Sequence, residues 1–383
     1  MRGCSVVVCA LLGILGVPNG VALGSQQPAA RWALDARPAV IIGASETDTS
    51  SILEAVVGAT RLPNGSILVG DRGEYALRIF GATGRLLRSY ARKGSGPGEI
   101  RYLGRMLRCG DSVYTVDIGE GNRVSVFDAD GHYARVFRFG VPPGQRTPYM
   151  SACNRHADFV HLGWEQQRDM KAGVFRSVVP VWTSRADSLV GRIVDSVPGS
   201  ERWGLVRDNQ LRGTRPLPLG RQPVLGIGQS KIYVGSAERF ELRAVSRANQ
   251  TTTIIRRAES PLAVTKSDVR DAMEREIGNR GESARKGVED AYAEMTFPAT
   301  LPAYTDLLVD SEDLIWVRHF PRGTETAARW SVFDSAGALR AEVEVPIYLE
   351  VLEIGAGYVL GRYLDPQTAV PQVRLYQLKR ASH

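Results

Sequence analysis

One period dominates this sequence, with landmarks returning every 46 or 47 residues. In 65-GSILVGDRGEYALRIFGATGRLLRSY and 110-GDSVYTVDIGEGNRVSVFDADGHYARVF, Asp71 and Asp117 lie 46 apart. Phe80 and Phe127, and Gly84 and Gly131, lie 47 apart, while Gly98 and Gly144 in the linkers are again 46 apart. A chain with such a period builds one supersecondary unit several times and buries each unit's apolar face against the next.

Each unit reads as short strands of β-branched and aromatic alternation, separated by turn residues. The turn after Phe80 carries Gly84, that after Phe127 carries Gly131, and Phe333 is followed by Gly337. A glycine at this place suits a tight hairpin that needs positive φ. In the weaker copy 245-VSRANQ, Asn249 takes the place, and around Trp182 it falls to Ala186. The strand before this turn occurs six times, at 76-ALRIF, 123-RVSVF, 177-SVVPVW, 240-FELRAV, 328-ARWSVF and 371-PQVRLY. Each follows an apolar strand, namely 66–71, 112–117, 158–163, 231–236, 313–318 and 357–362.

Six strand pairs predict an all-β fold of six four-stranded blades. Their approximate spans are 56–100, 101–145, 146–205, 220–260, 301–346 and 347–380. Blades packed around an axis leave few long exposed edges, so strands this short suffice. The strand-like segment 31–45 precedes the first blade and is expected to close the last one. Residues 265–296 break the pattern with helical spacing: Val269, Met273 and Ile277 share one face, and Val288, Tyr292 and Met295 another. Thr265 with Asp268 resembles a capping start, and Gly278 and Gly281 separate two short helices. A helical hairpin inserted between blades four and five is expected.

The pattern resembles the NHL-repeat family within the wider set of six-bladed β-propellers common among exported bacterial proteins. Carrying the resemblance are Gly94-Ser95-Gly96-Pro97-Gly98-Glu99, the strand ends Val69-Gly70-Asp71 and Thr115-Val116-Asp117, and Gly121-Asn122-Arg123-Val124. The motifs are clear in 56–145, recognisable in 301–345 and faint elsewhere. The resemblance implies a propeller and no single activity, because the scaffold carries binding modules, lyases and lactone hydrolases alike.

The N-terminus reads as a signal peptide cut near Gly24: Arg2, an apolar stretch from Val6 to Val17, then Ala22 and Gly24. An exported location, periplasmic or secreted, follows. No later segment is long and apolar enough to span a bilayer. Removing residues 1–24 takes Cys4 and Cys9 and leaves Cys109 and Cys153, each before an apolar strand. In an oxidising compartment the pair fits a disulfide, and two half-buried thiols fit as well. The net charge of +7 has no run of five like charges behind it, so no nucleic-acid partner is expected.

Aligning the apolar strands, taken as the innermost, puts Asp71, Asp117, Gly163, Ser236, Arg318 and Arg362 at equivalent places, where they would ring one mouth of the channel. Carboxylates and guanidiniums there suit a polar or anionic ligand, since Arg binds carboxylate or phosphate bidentately. A structural role competes, because in NHL-like repeats this Asp ties down the following loop. His161 and His319 are too few for a metal site, and the default for both is a satisfied or surface histidine. Neither a Gly-x-Ser-x-Gly elbow nor a His-Glu-x-x-His helix is present, and Gly94–Gly98 follows no βα unit. No catalytic or metal-ligating residue is assigned and no cofactor is implied, with a channel Ca2+ or Zn2+ left open. The expected function is a non-enzymatic, monomeric binding or scaffold module for a small molecule, glycan or protein. The alternative is a metal-dependent hydrolase or lyase of the lactonase or amidating-lyase type.

Overall fold

The computed structural model describes residues 29–43, 51–118, 123–166, 170–186, 188, 190–208, 210–323 and 325–380. The proposed signal peptide, residues 1–24, lies outside the described residues. So do Gly121 and Asn122. No helix among the described residues is long and apolar enough to cross a membrane.

The chain folds as a β-propeller of four-stranded antiparallel sheets. The first is Val56–Arg61, Ile67–Asp71, Ala76–Phe80 and Leu86–Tyr90, and the second is Leu103–Cys109, Ser112–Asp117, Arg123–Phe127 and Tyr133–Arg138. The third comprises Met150–Cys153, Asp158–Leu162, Val178–Arg185 and Arg192–Pro198. Val224–Ile227, Lys231–Gly235, Glu241–Ser246 and Thr252–Arg256 make the fourth. The fifth is Tyr304–Val309, Ile315–His319, Ala327–Phe333 and Leu339–Pro346. In the last, Leu349–Gly355, Tyr358–Leu364 and Pro371–Lys379 are completed from the N-terminal side by Ala30–Leu34 and Val40–Ile42, both antiparallel to Pro371–Lys379. Ala30–Leu34 also runs parallel to Leu339–Pro346, which joins the last two sheets edge to edge.

The first strand of each sheet is the innermost. Val56–Arg61 packs on Leu103–Cys109, that on Met150–Cys153, and so on through Val224–Ile227 and Tyr304–Val309 to Leu349–Gly355, which meets Val56–Arg61 again. This corrects the sequence reading, which took the following, more apolar strand to line the channel. The second strand is flanked by two strands and two neighbouring blades, so every residue of Ile67–Asp71 is buried. An innermost strand faces a wet channel and carries Thr60 and Arg61, or Arg105 and Arg108. The strongest apolar signal marks the most enclosed strand rather than the axial one.

The cores lie between blades. Tyr233, Phe240, Tyr304 and Phe333 fill the gap between the fourth and fifth, and Trp182 and Trp316 are wholly buried. Each such side chain contributes roughly 1.5–3 kcal/mol on burial. Hairpin geometry follows the glycine landmarks: Gly84, Gly131 and Gly337 hold φ of 80°, 86° and 92°. In the weaker copy, however, Gln250 takes the left-handed conformation at 59°, not Asn249. Asn249 acts through its side chain, accepting from Thr251 N at 3.2 Å and Thr251 Oγ1 at 2.8 Å. An Asx turn satisfies the loop there without a positive φ at Asn.

The helical hairpin is present as α1, Lys266–Arg280, and α2, Arg285–Glu294. Thr265 and Asp268 form a full capping box. Gly278 lies inside α1, and Gly281 at φ 86° makes the break. Ile277, Val288 and Tyr292 pack with Leu219 and Leu301. Beside them stands a three-stranded sheet absent from the sequence reading, of Gly173–Phe175, Arg202–Arg207 and Gln210–Pro216. Its segments RWGLVR and QLRGTRP are arginine-rich, the first mostly half-buried and the second largely exposed, so they carry little strand periodicity. Arg215 bonds Glu276 of α1 at 2.6 Å, tying the sheet to the hairpin. The hairpin and the two longer strands of this sheet sit where the chain passes between blades, and Gly173–Phe175 lies between the second and third strands of the third blade, all on the face where innermost strands begin.

Candidate functional site

A cavity of about 850 Å3 opens on the opposite face, where the innermost strands end, and all six of those strands line it. Met106, Leu225 and Leu307, all buried, with Met150 and Leu352, make its apolar wall. Nearer the mouth the lining turns polar. Glu353 is turned by a bulge between Val351 and Glu353, and its carboxylate accepts from Thr60 Oγ1, from Arg61 N at 3.2 Å and from the Tyr358 hydroxyl. The Arg61 guanidinium lies over the Tyr358 ring, 4.9 Å from its centroid. Arg108 donates through Nη1 to the Arg61 carbonyl and through Nε to the Gly110 carbonyl at 3.0 Å.

Burial pushes the Tyr358 phenol up, and the adjacent Glu353 carboxylate pushes the same way, against the opposing charges of Arg108 and Arg61. Tyr358 therefore stays a neutral donor. Asp310, beneath the rim, is fully buried and also pushed up by burial, but its oxygens are taken by Trp316 Nε1 at 2.9 Å, Leu314 N at 2.9 Å and Arg380 at 3.2 Å. Asp313 accepts Gln229 N at 2.8 Å and bridges two blades.

None of Asp71, Asp117, Ser236, Arg318 and Arg362 lines this cavity. They sit at the other end of the blades, each beside the start of an innermost strand. Asp71 is wholly buried and accepts Glu54 N at 3.1 Å, Ala55 N at 2.9 Å and Gly73 N at 3.1 Å, with Arg78 at 3.5 Å. Asp117 repeats the device on Arg101 N at 2.6 Å and Tyr102 N at 3.0 Å, with Arg123 at 3.6 Å. Each aspartate chiefly holds the linker that precedes its blade. Arg318 pairs across strands with Asp306 at 3.3 Å, and Arg362 with Glu350 while donating to the Val56 carbonyl at 2.7 Å. The Ser236 carbonyl accepts Arg176 at 2.6 Å, and Gly163 N donates to the Pro180 carbonyl. The structure brings these residues to their own local partners, not to one another.

His161 is wholly buried between Ser151 Oγ at 2.8 Å and Ser184 Oγ at 2.7 Å, and burial pushes its pKa down to about 3. His319 bonds Ser331 Oγ at 2.7 Å and is lowered too, because burial outweighs the help of Glu259. Cys109 and Cys153 are joined by a disulfide, Cα atoms 5.7 Å apart, which links the second and third innermost strands at the cavity wall.

The sequence reading missed Glu353, Tyr358, Arg61 and Arg108. One signal was available: Arg61 and Arg108 lie 47 apart, on the period of the repeat. Glu353 lies between Leu352 and Ile354 in 349-LEVLEIG, but a bulge decides where it points, and a bulge leaves no mark in the pattern.

No protein-family model and no curated protein sequence matches this chain. Solved structures that match include a member of the DUF4221 family from Bacteroides vulgatus, 10% identical, covering 92% of this chain and 99% of that one at a TM-score of 0.51. A gluconolactonase from Xanthomonas campestris is 12% identical over 93% of this chain and 99% of that one, at 0.43. Regucalcin, a calcium-binding protein from Agrobacterium tumefaciens, is 12% identical over 92% and 97%, at 0.42. At such identities the likeness is one of fold alone, and that fold is the β-propeller.

Proposed function

We propose that this protein is an exported, six-bladed propeller of the NHL-like kind that serves as a monomeric binding module, taking its ligand at the channel mouth where the innermost strands end. The observation that carries the reading is the cavity of about 850 Å3, with a few convergent polar groups above an apolar wall. That is the usual make-up of a small-molecule site. The perturbed Tyr358 within it points the same way. Export is supported by the disulfide, which persists in oxidising compartments.

Binding is favoured over metal-dependent hydrolysis by the placement of ligand-type side chains. Among the described residues, the group with metal-ligand spacing is Asp128, Asp130 and His132, all exposed on a hairpin outside the cavity lining. A thermal-shift screen of metabolites and oligosaccharides tests the reading, run on the mature protein and on Ala152→Trp, which narrows the channel at its lining. A ligand that raises the melting temperature of the first and not the second is expected. Stabilisation of both alike, or turnover with stoichiometric metal, would overturn it.

A further inference from the structure

We propose that the channel mouth binds an amphipathic organic carboxylate, its head held by Arg61 and Arg108 and its apolar body laid against the methionines and leucines deeper in. This rests on the channel being the ligand site.

Many arginines of this molecule are paired with carboxylates: Arg78 with Asp71, Arg257 with Glu259 and Glu342, Arg380 with Asp310 and Glu312. Among the described residues, no carboxylate pairs with Arg61, Arg108 or the rim residue Arg155. Arg61 stacks on Tyr358, and Arg108 donates to the carbonyls of Arg61 and Gly110. The two arginines are neighbours, because Arg108 donates to the carbonyl of Arg61, whose guanidinium lies over the Tyr358 ring. Glu353 is the nearest carboxylate, and Thr60, the Arg61 N–H and the Tyr358 hydroxyl already claim it. It helps set the strands that carry the arginines, and no salt bridge joins it to either guanidinium.

Two half-buried guanidiniums with no carboxylate in salt-bridge contact, at the edge of a cavity, favour an anion. Their planar forks match a carboxylate in two-point bonds, and such charge-assisted bonds are among the strong ones. Size and lining select the rest of the ligand. The cavity far exceeds an inorganic ion, and Met106, Met150, Leu225, Leu307 and Leu352 form its wall. That wall gains only from an apolar body. A polyanion would need a continuous basic track, whereas the carboxylates of Asp310, Asp313 and Glu353 share the cavity lining with the arginines.

Calorimetric titration of the full mature protein tests this with three probes: octanoate, its uncharged counterpart octanamide, and inorganic phosphate. Octanoate is expected to bind at least 10-fold more tightly than either of the others. Arg61→Gln should weaken octanoate at least 10-fold and change octanamide less than 2-fold. Because Arg108 also holds backbone carbonyls, Arg108→Lys replaces outright removal, and unchanged melting temperatures confirm that both variants fold. Equal affinity for octanoate and octanamide, or an Arg61→Gln effect equal for both, would sink the carboxylate head, and phosphate binding as well as octanoate would sink the apolar body. If octanoate fails while another ligand from the screen is lost in Ala152→Trp, the channel stands as the site and the carboxylate falls. If that ligand is indifferent to Ala152→Trp, both readings fall.

Discussion

Asp71 and Arg362 occupy equivalent places in their strands and differ in what removing them should do. Asp71 is buried, satisfies three backbone N–H groups and faces the buried Arg78. Its loss leaves those donors unpaired and removes one partner of a buried ion pair, the situation in which breaking such a pair costs about 3–5 kcal/mol. Arg362 keeps a side-chain exposure of 40% and pairs with the more exposed Glu350, so its loss should cost under about 1 kcal/mol. Denaturant unfolding of Asp71→Ala and Arg362→Ala measures the contrast, and equal costs would refute the linker-holding role. The sequence made Asp71 legible as a landmark because the blade linker needs the same acceptor each time. It could not show that the carboxylate faces backbone amides rather than the channel, since that depends on which strand is innermost. Arg61 and Arg108 were hidden for the converse reason: a charged residue at a strand end is ordinary, and only the closed ring makes it face a cavity.

At the level of the element, the two features outside the repeat behave differently in sequence. The helical hairpin was readable, because a capping box and 3.6-residue spacing are local signals, and the structure has both. The accessory sheet was not, because its strands are stabilised by attachment to the hairpin and to the fourth blade, as in Arg207–Glu294 and Arg221–Glu201, rather than by an apolar face of their own. The disulfide is an element of a third kind. It joins strands 44 residues apart in sequence, and a closed loop of that length restrains the unfolded chain by about 4 kcal/mol in the chain-entropy account. Replacing both cysteines by alanine should therefore lower stability by about 2–4 kcal/mol, read from unfolding under oxidising conditions. A change below about 1 kcal/mol would mean that packing of Cys109 against Tyr114 and Phe159 already fixes the two blades.

For the whole molecule the decisive event is closure. Repeats stabilise each other only through neighbours, so an open array has two free faces and a ring has none. Here the ends meet through Ala30–Leu34 and Val40–Ile42. Ile42 is fully buried among Leu360, Val373 and Leu375, and Trp32 packs tilted against Trp316, ring centroids 5.8 Å apart, beneath the Arg380 guanidinium. These contacts tie the first residues of the fold to its last strand, so the melting of any blade is coupled to that of the ring. Removing residues 29–43 strips the edge of Pro371–Lys379 and uncovers that core. The shortened protein should melt at least about 5 °C lower. Its bare edge should pair with another copy, raising the mass seen by light scattering with protein concentration. If the shortened chain stays monomeric and melts as the full one does, the N-terminal strands are an ornament on a ring that is closed by packing alone.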